Sequence, residues 1–151
     1  MTTLRHYLEV RFAGQTFLLP NAPDLLVEPR ENMQLERKGQ AAASRNVQGV
    51  VWLAYALDAN MQPLPESAWT RAIFLNVASR QPVGLLVDDL KLLPVDGLRI
   101  EPFIPLGPVP QTGHHLFNAA AMQTATPTLI FAPVGLAAYL QAQEDNHGLG
   151  E

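Results

Sequence analysis

Two pairs of adjacent side chains are the first candidates for chemistry. Asp88-Asp89 offers two carboxylates, which can serve acid–base catalysis or bind Mg²⁺, and His114-His115 offers two imidazoles for a metal. Neighbouring residues of a strand face opposite sides of a sheet, so neither pair is expected to converge on one ligand. We interpret the acids as the solvated end of a strand and the histidines as surface or capping residues.

Other catalytic and cofactor motifs are missing from the sequence. The cysteine count is 0, which excludes disulfides, zinc–thiolate sites, iron–sulfur clusters and thiol catalysis. No serine lies in a Gly-x-Ser-x-Gly setting, and the 10 glycines form neither a dinucleotide-binding fingerprint nor a P-loop. The sequence therefore predicts no catalytic residue, no metal and no cofactor, and a protein that is not an enzyme.

Composition narrows the class further. The 151 residues are 48% hydrophobic and 16% charged, as in an ordinary globular domain, and the net charge of −4 argues against nucleic-acid binding. No run approaches the roughly 20 apolar residues of a membrane-spanning helix. The charged N-terminal segment has no signal-peptide character, so we expect a cytoplasmic protein without membrane insertion.

The pattern of elements is that of a mostly β protein. The 13 prolines are spread too evenly for long helices, whereas short strands tolerate them. Residues 7–12 alternate apolar and polar side chains and, with residues 16–19, predict a hairpin. Residues 71–77 and 82–90 predict a second hairpin, and the apolar block 47–57 predicts a buried central strand. Two hairpins of this kind indicate two small, closed or nearly closed β subdomains.

The rest of the chain consists of shorter segments. Residues 33–46 are polar and predict a mobile loop, and residues 61–69 contain two prolines and predict a loop or one helical turn. Short strands are expected at 21–28, 98–101 and 128–132, a short strand or helical turn at 114–122, and a proline-rich connector at 103–112. Residues 134–143 predict the one helix, and residues 144–151 a polar tail.

Four segments, in order, resemble the CheW-like family of chemotaxis coupling proteins. Residues 17–20 read FLLP, 49–53 GVVWL, 73–77 IFLNV and 83–90 VGLLVDDL. The last of these is close to the family's VGLLVDEV segment, and the similarity covers roughly residues 5 to 141. The chain departs from the family at Ala54 and Tyr55, where the family has Arg-Gly in a region tied to receptor and kinase coupling. The resemblance is therefore to a divergent member, of a flagellar or a pilus-type pathway.

The resemblance implies a fold and a role. The fold would be two intertwined five-stranded β-barrels with a short C-terminal helix, in a single domain over residues 1–151. Subdomain one would come mainly from residues 16–70 and subdomain two mainly from 71–132, with terminal segments crossing between them. The role would be a non-catalytic scaffold that binds a CheA-type histidine kinase and a methyl-accepting chemoreceptor, without a cofactor.

The expected partner-binding residues lie on and before the central strand: Gly49, Val51, Trp52, Leu53, Ala54 and Tyr55. Trp52 and Tyr55 are of the residue types that dominate binding hot spots, but for Trp52 a position in the core is favoured. Two alternatives remain open at this stage. One is a β-barrel that binds a small ligand between its subdomains, and the other is a homo-oligomeric structural module.

Overall fold

The computed structural model describes residues 6–21, 25–64, 68–77, 80–93, 99–102, 115–122 and 127–149. The predicted mostly-β class is confirmed, with one helix at the C-terminus. The strands are β1 (Tyr7–Phe12), β2 (Gln15–Pro20), β3 (Leu26–Pro29), β4 (Ala43–Val47), β5 (Val50–Leu57), β6 (Pro63–Leu64), β7 (Arg71–Val77), β8 (Arg80–Val87), β9 (Asp89–Leu93), β10 (Ile100–Pro102), β11 (Phe117–Ala121) and β12 (Thr128–Phe131). The helix is α1 (Pro133–Leu149), and a 3₁₀ turn covers Arg30–Asn32.

The strands form two curled sheets. Sheet one has the order β10-β11-β12-β2-β1-β9, and sheet two has the order β3-β7-β8-β5-β4, with β6 paired to β5. Neighbours pair antiparallel except β12 with β2 and β5 with β8, which are parallel. The two predicted hairpins, β1–β2 and β7–β8, are present, and each lies in a different sheet.

Strand pairing crosses residue 70, and the division of the chain into two subdomains there stays a prediction. Strands β7 and β8 pair with β3 and β5 in sheet two, while β9 pairs with β1 in sheet one. The chain changes sheets at Asp88, between the last residue of β8 and the first of β9. Each sheet has six strands among the described residues, with β6 counted in sheet two. The pairings of β1 with β9 and of β3 with β7 join strands distant in sequence, which local pattern does not specify.

Two of the tight turns have the backbone conformation that the hairpin requires. Ala13 (φ 54) and Gly14 (φ 73) join β1 to β2, and Gln48 (φ 53) and Gly49 (φ 86) join β4 to β5. Two successive residues of positive φ are the signature of the two-residue turns that match strand twist. The hairpin at Gln48–Gly49 sets the register of β5 and therefore the direction in which each candidate residue points.

The prediction of a mobile loop at residues 33–46 is wrong. Ala41, Ala43 and Ser44 are completely buried, β4 occupies the end of the segment, and Gln34 pairs with Ser44 through two backbone hydrogen bonds of 2.7 and 2.9 Å. Ala43 packs in the interior of sheet two with Phe74, whereas Ala41 packs in the core shared by the two sheets. This polar segment can be buried because its backbone N–H and C=O groups are hydrogen-bonded within the sheet.

The predicted helix at 134–143 is present but longer. Helix α1 runs through Leu149 and so covers most of the segment expected to be a polar tail. It buries Leu136, Ala137 and Leu140 in the core that the two sheets share. A Cβ at Gly135 would collide with the carbonyl oxygen of His115, so this turn of the helix is compatible only with glycine. No described helix is long and apolar enough to cross a membrane.

Two shorter assignments also change. Residues 61–69 contain the two-residue strand β6, and the segment 82–90 is split at Asp88 into the end of β8 and the start of β9. Strands β3, β10 and β12 lie in or overlap the segments 21–28, 98–101 and 128–132, and the segment 114–122, expected to be a strand or a helical turn, contains β11. The proline-rich connector expected at 103–112 lies outside the described residues.

Candidate protein-interaction surface

Strand β5 carries most of the candidate residues, and its two halves have different environments. Val50 is 41% exposed, and Val51, Trp52 and Leu53 are half-buried. From Ala54 to Leu57 every residue is buried. Gly49 is exposed in the turn before the strand. The sequence therefore placed its candidates on one strand that is accessible at its start and internal at its end.

Ala54 is internal because sheet two is tightly packed around it. It pairs with Gly84 on the parallel strand β8, and its exposure is 0%. A Cβ built on Gly84 would lie 2.8 Å from the Cβ of Ala54 and 2.9 Å from Cε1 of Phe74. A glycine on β8 and an alanine on β5 are thus needed for the Phe74 ring to lie between them. An arginine, as the CheW-like family has at this position, has no room here.

Tyr55 is also removed from solvent. Its side chain points to the opposite face of β5 and lies in the core shared by the two sheets, with Leu85 as its neighbour on β8. Partner contact through Tyr55 stays a prediction, and both faces of the second half of β5 are covered in this structure. The accessible part of the candidate set consists of residues 49–53, which we call the β5 rim.

Trp52 combines the two roles left open by the sequence. Its ring packs edge-on against Phe74, with 5.4 Å between ring centroids, so it belongs to the core of sheet two. It is nevertheless half-buried, and its neighbour in the pairing of β4 with β5 is Arg45. Trp52 therefore contributes a rigid aromatic surface to the β5 rim while its other edge is held by the core.

Arg45 next to the rim forms an ion pair that the sequence did not indicate. Its guanidinium donates to Oε1 of Glu28 on β3, and the amide of Asn32 donates to Oε2 at 2.9 Å. Glu28 is a buried carboxylate. The sequence pattern had predicted a loop at Arg45. The signal that could have indicated a nearby cation was Glu28, a glutamate within an otherwise apolar short strand.

The carboxylates first considered for chemistry lie on the surface. Asp88 and Asp89 are exposed, and Asp89 accepts a hydrogen bond from the backbone N–H of Leu90 at 2.9 Å. Glu101 pairs with Arg99 on the surface. Among the described residues no three His, Asp or Glu side chains gather as a metal site would require. His114 lies outside the described residues, so the interpretation of the two histidines as surface or capping residues stays a prediction.

An open cleft of about 470 Å³ lies beside the change of sheets. Its lining is mostly polar and includes Arg11, Thr16, Asp88 and Asp89. The backbone N–H of Asp88 donates to the carbonyl of Arg11 at 2.7 Å, which fixes one wall. The cleft is open to the surface at the end of the β1–β2 hairpin, and Phe12, a residue of the apolar core between the sheets, forms part of its lining.

Comparison with known proteins gives little at the level of sequence. No protein-family model matches the chain. One component of the light-independent protochlorophyllide reductase of Pelodictyon phaeoclathratiforme is 31% identical over 115 residues, which make up 76% of this chain and 20% of that protein. The chain thus spans about a fifth of the length of that protein, and the match does not establish a shared family.

Comparison of structures gives a clear result. The crystal structure of the scaffolding protein TtCheW from Thermoanaerobacter tengcongensis superposes with a TM-score of 0.57 and 14% sequence identity. The superposition covers 86% of this chain and 90% of that chain, so the likeness extends over both sheets and not over one hairpin alone. The low identity agrees with a divergent sequence. This chain has the CheW-like fold.

Proposed function

We propose that the protein is a non-catalytic adaptor of a chemotaxis-type signalling pathway. It would couple a CheA-type histidine kinase to methyl-accepting receptors, or to the sensors of a related motility system, in the cytoplasm. The observation that carries this proposal is the CheW-like fold over 86% of the chain, together with the family's motifs at residues 83–90. Because one fold can host several functions, the partner-binding surface has to be argued separately.

The β5 rim supports this role. It offers the exposed Val50 and the half-buried Trp52 on a strand whose other half is fixed in the core. An aromatic ring that is already ordered loses little conformational entropy on binding, and burial of the surrounding apolar surface then contributes to affinity. The rim is therefore the part of the candidate set that we propose contacts a partner.

The test is affinity capture from a lysate of the native cell, with the recovered proteins identified by mass spectrometry. Wild type should recover a CheA-type kinase. Val50→Asp places a charge on the rim without touching the core, and it should recover about tenfold less kinase, as expected for loss of a hot spot. Leu92→Asp, at an exposed position of β9 in sheet one, is the matched control and should behave as wild type. Folded wild-type protein that recovers neither kinase nor receptor would contradict the proposal.

The two alternatives lead to different experiments. A ligand pocket between the sheets is disfavoured, because the residues there, such as Leu85 and Phe131, are packed in a continuous apolar core. A homo-oligomeric module would rest on the exposed apolar residues of β3, Leu26 and Val27. Sedimentation over a wide concentration range tests it, since self-association would raise the mass with concentration and an adaptor acting alone would not.

A further inference from the structure

The cleft beside the change of sheets brings charged side chains of three neighbouring strands together. Its volume of about 470 Å³ is within the range of small-molecule sites. Arg11 on β1 lies opposite Thr16 on β2 and opposite Asp89 on β9 in the strand pairing. Residues directly opposite each other in a sheet point to the same face, so these three side chains form a row across the strands. All three line the cleft.

The backbone around this row is held by both sheets. The N–H of Asp88 donates to the carbonyl of Arg11 at 2.7 Å, and the carbonyl of Asp88 accepts a hydrogen bond from the hydroxyl of Thr70 at 2.8 Å. Phe12 lines the same cleft and is 2% exposed, because its ring belongs to the core shared by the sheets. The cleft is thus formed by ordered backbone, and a ligand does not have to order it on binding.

The opposite charges of the cleft are not paired with each other. The guanidinium of Arg11 is 3.9 Å from the carboxylate of Glu9, and the Arg11 side chain is 61% exposed. Asp89 accepts the backbone N–H of Leu90 at Oδ1. Within the described part of the chain, no ion pair joins Arg11 to Asp88 or Asp89, although Arg11 and Asp89 are in register. One cation and two carboxylates are therefore available to a ligand.

We propose that this cleft binds a free basic α-amino acid, such as lysine. The lining carries one positive and two negative charges, and a basic α-amino acid carries one carboxylate and two cationic groups. The α-carboxylate pairs with Arg11, and the two cationic groups pair with Asp88 and Asp89. The lining includes no residue of the β5 rim, so the inference goes beyond the proposed adaptor function and does not depend on it.

Other ligands match this charge pattern less well. A divalent cation would be repelled by Arg11, and among the described residues no three His, Asp or Glu side chains gather to hold one. A phosphate group would be repelled by the two carboxylates. A lysine inside a polypeptide has neither a free α-carboxylate nor a free α-ammonium group, and a C-terminal lysine lacks the second of these. The free amino acid is the ligand that supplies all three charges.

The test is a titration of the isotope-labelled full chain with L-lysine, followed by amide chemical shifts. Saturable shifts are expected at residues 11–16 and 88–89, with a dissociation constant on the order of 1 mM, because the charged groups are open to solvent. L-norleucine lacks the side-chain ammonium, and cadaverine lacks the carboxylate. Each should bind about tenfold more weakly than L-lysine, as expected for the loss of one charged hydrogen bond.

Two variants assign the charges of the cleft. Arg11→Gln should weaken L-lysine about tenfold and leave cadaverine unchanged, whereas Asp88→Asn should weaken both ligands. Arg99→Gln, at an exposed ion pair outside the cleft, is the matched control and should bind all three ligands as wild type does.

The comparison of the three ligands on wild type needs no variant, so it also decides the proposal if a variant fails to fold. The absence of saturable shifts up to about 50 mM L-lysine would overturn the proposal. Equal affinities for L-lysine and cadaverine, or shifts centred outside the cleft, would do the same.

Discussion

The interiors of the two sheets are built from different side chains. Sheet one contributes a stack of phenylalanine rings, with centroid separations from 4.8 to 6.4 Å: Phe12, Phe17, Phe117 and Phe131. The inside of sheet two is lined by alanines, with Gly84, and encloses a few large rings: Ala42, Ala43, Ala54, Ala56, Ala72, Phe74 and Trp69. The interior of sheet one is therefore filled by large aromatic side chains, and the interior of sheet two by a few large rings among small side chains.

The difference predicts opposite sensitivities. A stack of rings loses stability when atoms are removed, because a cavity remains where contacts were. An alanine-lined interior loses stability when atoms are added. The atoms next to an added group lie on or close to the backbone and therefore have little freedom to move. The loss of stability caused by a substitution should thus increase with the volume added in sheet two and with the volume removed in sheet one.

The largest effect is expected for Ala54→Arg in sheet two. It adds a long charged side chain at a completely buried position beside Gly84 and Phe74. We expect the variant to be unfolded, because an uncompensated buried charge costs about 3–5 kcal/mol and the overpacking adds to it. Circular dichroism and urea unfolding measure this. Val50→Arg, four residues earlier on the exposed start of β5, is the control and should stay within about 0.5 kcal/mol of wild type.

The next effect is expected for Phe131→Ala in sheet one. Phe131 contacts three other rings of the stack and is buried. Its truncation should lower the free energy of unfolding by about 3–5 kcal/mol, as for other buried aromatic residues. Leu129→Ala on the same strand is exposed and should cost far less. If the two variants were equally stable in urea unfolding, the stack would not be the stabilising core of sheet one.

A smaller effect is expected for Gly84→Ala. The added methyl group would meet Ala54 and the ring of Phe74 below ordinary contact distance, so the free energy of unfolding should fall by about 1–3 kcal/mol. Phe74→Leu removes part of the obstructing ring and should reduce the penalty of Gly84→Ala when the two are combined. Additive losses in the double variant would show that Phe74 is not what excludes a side chain at position 84.

The smallest effect concerns the contact of α1 with the turn after β5. Tyr139 donates a hydrogen bond to the carbonyl of Met61, and burial of the phenol, together with the charge of Asp58, raises the pKa of Tyr139 above its ordinary value of 10.0. Folding therefore favours the neutral phenol. This contribution is complete below the unfolded pKa and is lost as pH rises through the folded one.

Tyr139→Phe separates that contribution from the rest of the molecule. At pH 8 the variant should be about 1 kcal/mol less stable than wild type, the net value of one hydrogen bond. Above about pH 10 the difference should shrink, since ionisation of Tyr139 penalises the folded wild type alone. Urea unfolding of both proteins across this range measures it, and a difference that stays constant or grows would contradict the assignment.

Structural features could be predicted from the sequence where the interactions that determine them join residues close together in the chain. The hairpins at residues 7–20 and 71–87 could be predicted because alternation, turns and their hydrogen-bond partners are local. The burial of Ala43 and Ser44 could not, because it depends on the pairing of β4 with β5 and, for Ala43, on packing in the same cluster as Phe74. The sheet membership of β7 could not either, since its second partner, β3, lies more than 40 residues earlier in the chain.

The candidate surface could be predicted only in part, because the burial of its last residues depends on contacts between strands. Pattern placed residues 49–55 on one strand, and the resemblance marked Ala54 and Tyr55, but only the packing of β8 against β5 shows that these two are internal. The pair of Glu28 and Arg45 joins strands at opposite ends of sheet two. No spacing rule connects them, because curl of the sheet, and not sequence distance, brings them together.

The most direct test of the adaptor account is a calorimetric titration of the purified protein with the regulatory domain of the CheA-type kinase from the same cell. The account predicts saturable binding by wild type, a dissociation constant raised about tenfold or more in Val50→Asp, and no change in Leu92→Asp. Equal affinities for all three proteins would remove the β5 rim from the interface. No binding by folded wild type would contradict the proposal that the protein acts as a coupling adaptor for this kinase.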